Sequence, residues 1–78
     1  MMRHVIRRTC NAWEVYYAPV YDVVMSSVNL ITPDGEWNHE QYVVLEERLQ
    51  SVRMASFRTR KAARQYVHDC GGVVDREV

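Results

Sequence analysis

Residues 56–72, SFRTRKAARQYVHDCGG, decide the fold. Thr59 can cap a helix by accepting a hydrogen bond from an early unpaired N–H. Gly71 can take the left-handed conformation that closes one. Between them Ala62, Ala63, Tyr66, Val67 and Cys70 share one side of a 3.6-residue period, and Arg60, Lys61, Arg64 and His68 fall on the other. The spacing predicts an amphipathic helix over residues 59–70, with Cys70 in the core and His68 in solvent. Arg58, Arg60 and Lys61 crowd its start, where the helix dipole favours anions. The remaining chain must supply an apolar layer for this helix to cover.

Upstream residues read as strands. Residues 1–8 (MMRHVIRR) suit an edge strand or a loose arm. In residues 12–18 (AWEVYYA), Trp13, Val15 and Tyr17 alternate with Glu14 and Tyr16, and Pro19 ends the segment. Residues 21–31 (YDVVMSSVNLI) read as a second strand, in which a bulge at Ser26-Ser27 would return Val28 and Leu30 to the face of Tyr21, Val23 and Met25. Thr32-Pro33-Asp34-Gly35 is a turn, because proline presets φ and glycine accepts φ > 0.

Residues 36–47 (EWNHEQYVVLEE) have two readings. A helix would use Asn38 as N-cap, Gln41 as its capping-box partner and Tyr42, Leu45, Leu49 and Val52 as a stripe. The strand is preferred, because Tyr42-Val43-Val44 is β-prone and the turn calls for a second arm. Leu49, Val52, Met54 and Phe57 then anchor the connection to the helix, Val73-Val74 adds a short edge strand, and residues 75–78 fray. The expected fold is a single α+β domain over residues 1–78. It has a three- to four-stranded antiparallel sheet, a hairpin around residues 21–46 and one helix on one face, leaving the other face open.

Seventy-eight residues bury only about 60% of the surface of their unfolded chain, so a homodimer that hides more apolar area is one option. A hydrophobic content of 47% argues against disorder. Formal net charge is zero, but its distribution is uneven. Asp34, Glu36, Glu40, Glu46 and Glu47 occur without an intervening cation, and Arg48, Arg53, Arg58, Arg60, Lys61 and Arg64 follow without an acid. That balance excludes an overall acidic DNA mimic and lacks the basic excess of a general nucleic-acid binder. No signal peptide is expected in residues 1–9 and no membrane span anywhere, so a cytoplasmic location is the default, with free thiols.

Catalytic and cofactor signatures are missing. Gly35, Gly71 and Gly72 make no phosphate-cradling loop, and neither Cys-x-x-Cys nor His-Glu-x-x-His occurs. His4, Cys10, His68 and Cys70 would form a zinc site only if the chain ends met, and a Cys10–Cys70 disulfide would need an oxidising compartment. Neither is preferred, and no cofactor, metal or enzymatic activity is expected. The aromatic residues exceed what one short helix can cover, so some are expected on the open face as interface residues. The expected contact comprises Arg53, Arg58, Arg60, Lys61 and Arg64 with Tyr16 and Trp37.

Phe57, Thr59, Ala62, Ala63, Tyr66, Gly71 and Gly72, following a hairpin, resemble the layout of small proteins carried by phages and other mobile elements, of which anti-CRISPR proteins are the best known. The resemblance implies a non-enzymatic inhibitor in the host cytoplasm that blocks a larger defence complex by binding a protein subunit. A small nucleic-acid-binding module using the basic segment 58–64 is the alternative.

Overall fold

The computed structural model describes residues 1–78, and its sheet is built outward from two inner strands. β1 (Arg3–Arg8) and β2 (Trp13–Tyr17) pair antiparallel, with Val5 opposite Tyr16 and Ile6 opposite Val15. Then come α1 (Ala18–Ser26), α2 (His39–Val52), β3 (Ala55–Phe57), α3 (Arg60–Asp69) and β4 (Val73–Glu77). The strand order is β3-β2-β1-β4. β3 runs antiparallel to β2, whereas β4 runs parallel to β1. The α+β class is as expected; the sheet is mixed rather than antiparallel, because α3 carries the chain from one edge to the other. The N-terminal segment is an inner strand, not an edge or an arm.

Both faces of the sheet are covered, so the expected open face does not exist. On one side Val5 and Tyr16 pack with Ala18, Tyr21 and Val24 of α1 and Leu45 and Leu49 of α2. On the other, Ile6 and Val15 pack with Ala63 and Val67 of α3, flanked by Trp13, Phe57, Tyr66 and Val74. Strand alternation assigns these faces, since successive side chains point to opposite sides. Ile6, Val15 and Val67 are fully or almost fully buried. Each such side chain contributes about 1.5–3 kcal/mol.

The segment 21–31 is the largest departure. Its first half is α1, because Ala18, Tyr21 and Val24 recur at three-residue spacing and bury together, while Val23, expected to share a strand face with Tyr21 and Met25, is 70% exposed. Pro19 opens this helix, where its missing N–H is no loss. Ser26 and Ser27 form no bulge. Their hydroxyls donate to the Asp22 and Val24 carbonyls at the helix end.

The Pro33-Asp34-Gly35 turn forms as expected, with Gly35 at φ 82°. Its hairpin is reduced to one bridge, Ile31 to Trp37, and the second arm becomes α2. The helical alternative for this segment therefore wins. Asn38 Oδ1 accepts from Gln41 N at 3.2 Å, and the Leu45–Leu49 stripe supplies burial that a strand would have split between two faces.

α3 matches its expected caps, with Thr59 Oγ1 accepting from Ala62 N at 3.1 Å and Gly71 at φ 73°. Its buried stripe is narrower than expected: Ala63 and Val67 are buried and Tyr66 partly so, whereas Ala62 and Cys70 face solvent. Residues 75–77 do not fray; they continue β4, and Val78 exchanges backbone bonds with Ile6 and Arg8.

Candidate functional site

The residues expected to form one contact are divided among four environments. Tyr16 is buried, and its hydroxyl donates to Glu14 at 2.7 Å, so it cannot meet a partner. Arg53 is tied to the same carboxylate at 3.0 Å. Glu14 also accepts from Gln50 at 3.1 Å and Arg7 at 3.2 Å, and Arg7 in turn pairs with Glu46. This network fastens α2 to the sheet. Burial alone would raise the Glu14 carboxyl; the bonds from Tyr16, Arg53 and Gln50 and the Arg7 charge outweigh it and hold the group below its ordinary value. Burial and the bond to Glu14 both push the Tyr16 hydroxyl up. Tyr16 and Arg53 therefore belong to the internal framework rather than to a contact surface.

Arg60 and Arg64 are the second case. Both project from the outer face of α3 and converge on Glu77 of β4: Arg60 Nε and Nη2 donate at 2.5 and 2.9 Å, and Arg64 Nη2 at 2.6 Å. Bonds from Arg60 and then Arg64 hold the Glu77 carboxyl down to about 2. Glu77 lies in the tail expected to fray, so no sequence signal marks it as their partner. The two guanidinium groups nonetheless remain about half exposed. With Lys61, Gln65 and His68 they line an open hollow along α3 that contains no apolar side chain. Arg58 and Lys61, the third case, are exposed and make no ion pair.

Trp37 is the fourth case and stands apart. It is 55% exposed, next to Ile31 at 50%, on the loop joining α1 to α2. That loop belongs to the helical layer on the side of the sheet away from α3. Its backbone is pinned: Thr32 N donates to Glu36 O at 2.8 Å, Gly35 N to Thr32 O at 2.9 Å and Asn38 N to Leu30 O at 2.8 Å. Thr32 Oγ1 also accepts from Glu36 N at 3.1 Å. The Trp37 ring leans on Tyr42 with centroids 5.4 Å apart. Asp34, Glu36 and Glu40 surround it in sequence and are all exposed. The signal for Ile31 was its symmetry with Trp37 about Pro33-Asp34-Gly35.

Cys10 and Cys70 are free and exposed, and no group of three or more His, Cys, Asp or Glu side chains could hold a metal ion, so His4, Cys10, His68 and Cys70 do not come together. No helix is long and apolar enough to cross a membrane. Comparison with protein-family models, curated proteins and solved structures finds no match to the chain.

Proposed function

We propose that this chain is a non-enzymatic protein-binding inhibitor of the anti-CRISPR kind, which blocks a host defence complex in the cytoplasm by seating the Trp37 loop on one of its protein subunits. The exposed tryptophan on a pinned turn carries the proposal. Tryptophan is over-represented among the few residues that dominate binding interfaces. An indole presents roughly 200 Å² in all, so covering the exposed half would contribute about 2.5 kcal/mol at 25 cal/mol per Å². That reaches the size of a binding hot spot. The turn's hydrogen bonds already order the backbone, which reduces the entropy lost on docking. Asp34, Glu36 and Glu40 repel phosphates and steer the loop toward a cationic protein rim.

The test is phage plating on hosts that carry active CRISPR systems of several types. Expression of the chain should restore plating of a targeted phage, and Trp37→Ala should abolish the effect while leaving the circular dichroism spectrum unchanged. Plating that the parent chain never restores removes the anti-CRISPR reading. A Trp37→Ala protein as active as the parent removes the loop from it.

A further inference from the structure

The outer face of α3 carries a second surface, independent of the Trp37 loop and on the other side of the sheet. Arg60, Lys61, Arg64, Gln65 and His68 line its hollow, and none of them is hydrophobic. From Arg60 to Arg64 the helix rises about 6 Å. That length matches about two phosphates of one strand of a duplex. Protein interfaces need an apolar centre to be strong, whereas contacts to a phosphate backbone need only cations and hydrogen-bond donors. The lining therefore favours a phosphate chain over a protein surface.

Glu77 sits between the two arginines. Its carboxylate holds Arg60 with two bonds and Arg64 with one, so both guanidiniums are pre-positioned side by side yet partly neutralised. Lys61, beside them, has no ion pair. Each guanidinium keeps further N–H donors for an incoming oxygen.

We infer that this face binds the phosphate backbone of nucleic acid without sequence preference, through Arg60, Lys61 and Arg64, with Glu77 as an internal competitor that keeps the affinity low. Three cations less one carboxylate leave two net charges, enough for about two phosphates. The slope of log K against log salt on a duplex should then be about −2.

The experiment is fluorescence anisotropy with a labelled 20-nucleotide duplex and the corresponding single strand at low salt, using the full chain. Binding to both, indifferent to sequence, is expected. Lys61→Ala should weaken binding to every sequence alike and reduce the slope by about 1. Glu77→Gln should tighten binding several-fold, because it releases Arg60 and Arg64. A merely structural Glu77 would give the opposite result. No binding at low salt, an unchanged Lys61→Ala affinity, or weaker binding by a folded Glu77→Gln protein overturns the inference. Displacement of the duplex by polyglutamate as efficiently as by unlabelled DNA would assign the face to an acidic protein and overturn it as well. Trp37→Ala should leave this binding unchanged, which separates its outcome from that of the plating test.

Discussion

Glu14→Ala removes the acceptor on which four side chains converge. Tyr16 is fully buried, and its hydroxyl has Glu14 as its hydrogen-bond partner. Leaving that hydroxyl unpaired costs about 1–3 kcal/mol. Arg7, whose side chain is 16% exposed, keeps Glu46, and the more exposed Arg53 and Gln50 can turn to water. Stripping one partner from a fully buried ion pair costs about 3–5 kcal/mol; Arg7 is partly exposed and keeps Glu46, which leaves about 1 kcal/mol of that, and with the hydroxyl the total is about 3 kcal/mol. A chain of this size has roughly 4–12 kcal/mol of stability in total. The melting temperature should therefore fall by about 12–24 °C. Urea denaturation followed by circular dichroism reads the loss as a lower midpoint at an unchanged slope. In a Tyr16→Phe background the same substitution should cost about 1–2 kcal/mol less, because no hydroxyl is orphaned. A Glu14→Ala loss under about 1 kcal/mol, or no coupling between the two sites, would refute the claim that this carboxylate fastens α2 to the sheet.

Two further substitutions test other parts of the framework. A Cβ at Gly72 would lie 2.5 Å from His4 Cε1, 2.6 Å from Nδ1 and 3.0 Å from the Met2 carbonyl, and the His4 ring is itself buried. Gly72→Ala should therefore destabilise by about 1–3 kcal/mol by the same urea assay, and a neutral result would show that His4 has room to move. In acid, a Glu77 carboxyl held at about 2 when folded, against its ordinary 4.5, adds stability that is fully present above 4.5 and is lost as pH falls toward 2. Glu14 is shifted in the same direction. The urea midpoint should stay level from neutral pH to about 5 and drop below it, less steeply for Glu77→Gln, and parallel profiles would refute the pairing.

The parts legible in the sequence are those fixed by local chemistry. Thr59, Gly71, Asn38 and the Pro33-Asp34-Gly35 turn behave as their residue types dictate, because each acts on its own backbone. The misreadings arise where two periods fit the same letters. Tyr21, Val23 and Met25 alternate like a strand, but Ala18, Tyr21 and Val24 also recur like a helix, and packing against Val5 and Tyr16 selects the second. The strand preference of Tyr42-Val43-Val44 is likewise overridden by Leu45 and Leu49, which reach the sheet together only from a helix. A strand reading of both segments leaves open a sheet face that α1 and α2 in fact cover, with Tyr16 beneath them. Arg53 and Arg60 were expected to face a partner, but internal counter-ions hold them: Glu14 and Glu77 come from distant positions that no local pattern links to them.

Which cations remain available is decided by β4 rather than by α3. The register of β4 on β1 shifts at Asp75, so Val74 lies opposite His4 and Arg76 opposite Val5. Without that extra residue Val74 and Arg76 would share a face, and Glu77 would point toward α1. With it, Arg76 turns to the α1 side, where it pairs with Asp22 and covers the Tyr21 ring. Glu77 turns to the opposite side and holds Arg60 and Arg64. A single bulge thus places one counter-ion on each face of the sheet. Arg58 and Lys61 pair with neither, and Asp34 and Glu36 beside Trp37 lie on the α1–α2 loop, which takes no part in the pairing of β4. The separation of the exposed Trp37 loop from the basic helix, in a chain of zero net charge, follows from the layering: α1 and α2 pack on one face of the sheet, and α3 crosses the other from edge to edge.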